Sequence, residues 1–306
     1  MQEITVLGDG ITGTGNAESS SQSSPLEITI TREMIEAFTI ATKDDNPIHY
    51  GSNATALAMQ ILWLIDNSCL TAQLKCKAEY IKYSSFRFRV PIEAGKKITI
   101  SRSNIPERDN ARSNIPERDD DNSLYKIVIS GQGRKRGDIE FCSGTIERAN
   151  QFFELSSTVT ESDFQLQLVE EHNAILTTGP NVRILKLTKD SIETLYNGIG
   201  VGYNDQQSVP AIYVFGLISG ILQARYTDKF NDGANYKYTG IDVTLSTTPI
   251  KINDLPKVKF FLDSFTESPQ GAGKDLLTFN AGARLEDKVV YSARLSILRT
   301  EKREAA

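Results

Sequence analysis

Histidine is nearly absent from this sequence. The 306-residue chain carries two, His49 and His172. That excludes His-rich zinc sites and most multi-histidine metal centres, so the expectation for metal is none. Proton chemistry by histidine has only two places to occur. Cysteine is scarce too. Cys69, Cys76 and Cys142 are odd in number, and no pair has metal-ligand or redox spacing. A disulfide framework or a zinc ribbon is therefore not expected. A basic excess is missing: 34 Lys and Arg stand against 39 Asp and Glu, a net charge of −5. This argues against a nucleic-acid binder. Long apolar runs are missing as well. The longest, around Ala54 to Ile65, is too short and interrupted to span a bilayer. The first residues show no basic stretch followed by an apolar core, so the expectation is no secretory signal and a cytoplasmic, reducing location.

What the chain does have is length, pattern and repetition. A chain of 306 residues is enough for about two domains and a large core. Residues 1–25 are rich in Gly, Ser and Thr and read as a flexible tail. Gly8, Gly10 and Gly13 satisfy the G-x-G-x-x-G spacing, yet the residues that follow have no apolar face for the helix that a dinucleotide site requires. From Leu26 a strand-like EITIT leads into a helix capped by Thr31, with Met34, Ile35 and Phe38 on its apolar side. The same sequence of features returns in the second half. Ile184 to Thr188 matches the strand, Thr188 matches Thr31, and at that offset Ala54 falls on Ala211 and Ile61 on Ile218. Ala54–Ile65 and Ala211–Leu222 are apolar nearly all round, which predicts two buried helices.

Strand-like runs follow each helix: Tyr80–Arg89, Lys96–Ser101, Leu124–Gly131 and Ile139–Glu147, then Tyr236–Leu245, Val258–Leu262, Leu276–Arg284 and Val289–Leu298. Lys82-Tyr83-Ser84 pairs with Lys237-Tyr238-Thr239. A long period seen twice marks a duplicated domain. Each unit is expected to be α+β, a largely antiparallel sheet wrapped around one apolar helix, the two sheets meeting edge to edge or helix side to helix side. The boundaries follow: 26–150 for the first copy, 151–180 for a connector, 181–306 for the second. Arg102–Asp109 recurs as Arg112–Asp119, a tandem duplication in a solvated hairpin loop.

The stretch with catalytic content is Phe38–Tyr50, FTIATKDDNPIHY. Asp44 and His49 flank Asn46-Pro47, whose turn chemistry ends the helix and can fold the imidazole toward the carboxylate. An acid and a base converging on one volume is what proton transfer to and from a substrate needs. This stretch resembles the D-x-N-P-x-H motif of the MaoC-like hydratase/dehydratases, the (R)-specific enoyl-CoA hydratases. Asp44, Asn46, Pro47 and His49 occupy its fixed positions, and Phe88–Gly95 is similar to the family's strand–Pro–Gly turn. The resemblance covers 26–148 and, as a divergent copy, 181–299. It implies a double hot-dog fold and a hydro-lyase that interconverts (R)-3-hydroxyacyl and trans-2-enoyl thioesters. Asp44 and His49 would share the proton transfers and Asn46 would support the turn. It implies no cofactor beyond the CoA or acyl carrier protein that carries the acyl group. A carrier protein and a second copy of the chain are compatible partners, and fatty-acid metabolism is the setting.

The second copy departs from the motif. Val201, Tyr203 and Gln206 stand opposite Asp44, Asn46 and His49, so one acid/base site per chain is expected, with the inert half free to widen a tunnel for a long acyl chain. The family's His-Gly pair at the start of the central helix is replaced by Asn53-Ala54 and Pro210-Ala211. The backbone N–H of Ala54 or Ala211 is the candidate oxyanion donor. Two rivals stand beside this reading: a hot-dog thioesterase, which needs a carboxylate near the central helix, and a non-catalytic acyl-binding or scaffold protein. His172 reads as a surface histidine in the connector, and Met59 and Trp63 as core. Cys69 and Cys76 read as buried thiols. Ser219 reads as a helical serine able to face the site, and Lys96-Lys97 and Arg134–Arg136 as solvated basic clusters.

Overall fold

The computed structural model describes residues 25–42, 44, 46–68, 74–75, 78–105, 124–133, 137–149, 151–152, 164–169, 173–178, 181–185, 208–225 and 232–301. The glycine-patterned tail, nearly all of the duplicated loop, His172, Cys69, Cys76, the basic cluster at 134–136 and the second-copy positions 201, 203 and 206 lie outside the described residues.

The first half runs β1 (Leu26–Thr29), α1 (Arg32–Thr42), a 3-10 turn (Pro47–His49), α2 (Ala58–Asn67), β2 (Tyr80–Phe88), β3 (Lys97–Asn104), β4 (Tyr125–Gln132) and β5 (Asp138–Ala149). Next come β6 (Phe164–Val169), β7 (Asn173–Thr178) and β8 (Asn181–Leu185). The segment read as a connector thus contributes the β6–β7 pair to the sheet. Then follow β9 (Ser208–Val209), α3 (Ala211–Gly216), α4 (Ile218–Arg225), β10 (Asn235–Ser246), β11 (Ile250–Lys251), β12 (Val258–Gly271), β13 (Lys274–Leu285) and β14 (Lys288–Thr300).

Twelve of the described strands form one antiparallel sheet, in the order β1-β3-β4-β5-β2-β10-β14-β13-β12-β6-β7-β8. Outward from the β2–β10 seam the order reads alike on both sides: β5, β4, β3 on one, β14, β13, β12 on the other. Edge-to-edge pairing is therefore the arrangement adopted, and it buries the two strand edges that a separate unit would expose. At the seam Ser85 takes φ 55° and the β2 register shifts. Its N–H donates to the Asp242 carboxylate. The extra residue changes the strand's parity. Tyr83 and Phe86, three apart, both end fully buried, where strict alternation would send one of them to solvent.

The helices share one hydrophobic core with the sheet. Every α2 residue from Ala58 to Asp66 is buried, as an apolar helix wrapped by a sheet must be. Trp63 is one of the contacts between the halves: it is tilted on Phe38 at 5.5 Å within its own half and edge-on to Tyr213 of the other at 6.1 Å. The second buried segment is two helices and not one. Gly216 weakens the helix, and the Leu217 N–H turns to Val214 and Phe215, tightening the chain before α4 starts. Cys142 is buried, and burial pushes its thiol well up, so it is an inert packing residue.

Candidate active site

The site begins where α1 stops. Thr39 and Thr42 turn their hydroxyls back onto the carbonyls of Ile35 and Phe38, at 2.7 and 2.9 Å, a back-bonding that competes with the regular helix near its end. The Asp44 N–H then reaches Thr39 O at 3.2 Å. Asp44 and Asn46 each accept a backbone N–H two residues on: Asn46 N to Asp44 Oδ1 at 3.0 Å, Ile48 N to Asn46 Oδ1 at 3.2 Å. Two successive Asx turns build the bend that the Asp-x-Asn-Pro sequence anticipates. Tyr50 closes it by donating its hydroxyl to Asp44 O at 3.2 Å, and Asn46 Nδ2 crosses to Tyr236 O at 3.5 Å.

This bend places His49 Nε2 3.7 Å from Asp44 Oδ2, with both residues buried, 8% and 3% exposed. His49 Nδ1 lies 2.7 Å from the Thr55 carbonyl oxygen. A carbonyl only accepts, so Nδ1 must hold a proton, and Nε2 is the nitrogen left to exchange one. The gap to Asp44 is too wide for a direct hydrogen bond, and narrow enough that one oxygen can contact both groups.

The pair opens on a cavity of about 330 Å³, within the size range of small-molecule sites. First-half walls include Ile48, Ala58, Ile61, Phe88 and Ile92; second-half walls include Ser219, Leu222, Tyr236, Lys237, Tyr238 and Ile297. Burial pushes the Tyr238 phenol far up, with the Asp44 charge adding to it and Ser219 opposing. Tyr236 is pushed up to about 12, first by burial and then by its bond to Asp232. Burial lowers Lys237, whose Nζ donates to Arg89 O at 3.0 Å.

Asp44 and His49 are brought together, with Asn46 beside them. Ala54 requires correction. It is not at a helix start: Thr55 bridges to Glu93 and the Ala56 N–H bonds Ile92 O at 2.8 Å, which holds this stretch extended until α2 begins at Ala58. Ala58 is the first-turn residue that lines the cavity. Ala211 does open a helix, α3, but is not among the cavity residues. Ser219 does line it. Lys97 is exposed and paired with Glu27 at 2.6 Å. The cluster of Tyr236, Lys237 and Tyr238 was not legible as a site. Its one signal was the repeat that matches it to Lys82-Tyr83. Among the described residues, no cluster of three or more His, Cys, Asp or Glu could hold a metal, and no helix is long and apolar enough to cross a membrane.

No family model and no curated protein matches this sequence. Solved structures do share its architecture. The dehydratase domain from the CurF module of curacin polyketide synthase is 10% identical, with a TM-score of 0.51 over 94% of this chain and 97% of that one. An inactive CurJ dehydratase variant in complex with a compound is 11% identical, with a TM-score of 0.50 over 93% of each chain. The shared architecture is the double hot-dog: two sheets joined into one, wrapped around paired central helices.

Proposed function

We propose that this chain is a hydratase/dehydratase that interconverts (R)-3-hydroxyacyl and trans-2-enoyl thioesters carried on CoA or an acyl carrier protein. The observation that carries this reading is the His49–Asp44 pair. One imidazole nitrogen is fixed as a donor by Thr55 O at 2.7 Å, and the other faces a carboxylate at 3.7 Å across an otherwise largely apolar cavity. Dehydration starts with a proton on Asp44 Oδ2 and none on His49 Nε2, and Nε2 takes the C2 proton. The electrons form the C2–C3 double bond, the C3–O bond breaks, and Asp44 Oδ2 delivers a proton to the departing hydroxyl, which leaves as water. The proton on Nε2 then returns to Oδ2 through the oxygen of the product water, which can contact both groups across the 3.7 Å gap, restoring the starting state. Hydration is the reverse. During C2–H cleavage negative charge grows on the thioester oxygen. First-turn amides of a helix lack intrahelical partners and favour such charge, and Ala58 of α2 presents that turn to the cavity. Ile61, Leu222 and Ile297 supply an apolar lining for the acyl chain.

The test offers crotonyl-CoA and a longer enoyl-CoA, and follows enoyl absorbance and free thiol together. Loss of absorbance without thiol, abolished in Asp44→Asn and His49→Ala, supports hydration. Thiol release would make the chain a thioesterase. No turnover on either CoA or carrier-protein thioesters would leave an acyl-binding protein. The thioesterase reading lacks a carboxylate of its own: among the described residues lining the cavity, Asp44 is the one carboxylate, and the hydratase/dehydratase reading already employs it.

A further inference from the structure

The repeat that matches Lys82-Tyr83 to Lys237-Tyr238 leaves the two phenols in different company. Tyr83 is fully buried and donates its hydroxyl to the Asp66 carboxylate, which Lys75 holds from the other side. That phenol is committed to the core. Tyr238, on β10, lines the cavity. Its hydroxyl lies 3.4 Å from Ser219 Oγ, whose other neighbour is the weakly accepting Met59 Sδ at 3.4 Å. Either hydroxyl can donate in this contact; because the thioether is the weaker acceptor, we assign the single Ser219 proton to the phenol oxygen, which leaves the phenol proton for the cavity. The phenol stays neutral well past physiological pH, because burial opposes its ionisation more than the Ser219 contact favours it.

We propose that the Tyr238 hydroxyl donates a hydrogen bond to the C3 oxygen of the substrate, the oxygen that leaves or arrives as water. This rests on the hydratase/dehydratase reading. It makes Tyr238 a catalytic residue supplied by the half that lacks the acid/base pair. As the C3–O bond breaks, charge gathers on that oxygen. A neutral phenol fixed in the cavity wall stabilises this charge without competing with Asp44 for the proton. The two halves then divide the work: the first holds the exchanging protons, the second holds the oxygen.

The test uses the full chain. Tyr238→Phe should lower kcat for crotonyl-CoA hydration about tenfold to a hundredfold with little change in KM. In a His49→Ala background, which does not consume its ligand, adding Tyr238→Phe should weaken 3-hydroxybutyryl-CoA binding about five- to tenfold and leave butyryl-CoA binding unchanged. A merely structural tyrosine would weaken both alike, and that result overturns the proposal, as does loss of neither. Tyr83→Phe is the control: it should lower stability and leave the ratio of the two affinities unchanged. Should Tyr238→Phe fail to fold, Ser219→Ala answers the question, with a loss of about two- to fivefold confined to the hydroxyacyl ligand and equal loss of both overturning it. If the wild type hydrates no enoyl thioester, the hydratase/dehydratase reading fails and takes this proposal with it. If the wild type turns over and Tyr238→Phe equals it, this proposal alone fails.

Discussion

Asp66 sits near the end of α2 as a buried carboxylate, 5% exposed, that accepts from the Tyr83 phenol and pairs with Lys75 at 2.5 Å. Replacing it with alanine should cost two separable amounts. Tyr83 is fully buried and would lose the acceptor for its hydroxyl, worth about 1–3 kcal/mol. The Lys75 side chain is 30% exposed and also donates to the Asp66 backbone carbonyl at 2.6 Å, so it keeps a partner at the helix end; loss of its carboxylate should cost no more than about 1 kcal/mol. The expected total is about 1–4 kcal/mol. In a Tyr83→Phe background no phenol is stranded, so Asp66→Ala should cost only the lysine part, and the coupling should be about 1–3 kcal/mol. Urea unfolding measures this, and the chain carries its own reporter. Trp63, the single tryptophan, is 1% exposed at the contact between the two halves. Equal costs of Asp66→Ala in both backgrounds would refute the argument that the buried phenol depends on this carboxylate.

Asn46→Asp retains the oxygen that accepts Ile48 N–H and removes the donor to Tyr236 O. It should lower kcat about tenfold while costing no more than about 1.5 kcal/mol of stability, read by kinetics alongside urea melts. Two sheet glycines should respond oppositely to alanine. At Gly282 a Cβ would lie 2.3 Å from the Phe261 ring and 2.8 Å from Tyr291 O, which is backbone and cannot step aside. At Gly240 the nearest atom is the movable Arg87 guanidinium. Gly282→Ala should cost about 1–3 kcal/mol and Gly240→Ala much less, as thermal melts would show. Tyr83 and Tyr291 are held neutral by burial, so their folded pKa values exceed the unfolded value of about 10. Raised folded values stabilise fully below pH about 10 and progressively less as pH rises through the folded values. Urea midpoints should therefore fall above that pH, less steeply in Tyr83→Phe; a flat profile would contradict this.

Much of the fold was legible because burial imposes periodicity. The apolar cylinder around Met59–Ile65 and the alternation of Ile98 and Ile100, or Ile127 and Ile129, declare a helix wrapped by strands. The repeat announced two such units, and pairing at β2–β10 is one of the two ways that they could meet. The start of α2 was not legible. Ala54 to Leu57 are as apolar as the helix that follows, and only tertiary bonds to Ile92 and Ala94 hold them extended. The break after Gly216 had a local sign, a glycine inside an apolar run, but a single glycine does not by itself end a helix. At the site, Asp44 and His49 were visible because turn residues and catalytic residues coincide in one short segment. Tyr238 was invisible for the opposite reason. A tyrosine in an alternating strand looks like any core aromatic until the fold brings it beside a loop nearly two hundred residues earlier in the chain.

The most direct test of the central claim is hydration of crotonyl-CoA in D2O, with mass analysis of the 3-hydroxyacyl product. If His49 and Asp44 exchange protons with solvent and substrate, the wild type places one deuterium on C2. His49→Ala should then lower the rate about 10²- to 10⁴-fold. Hydration that continues undiminished in His49→Ala would contradict the account.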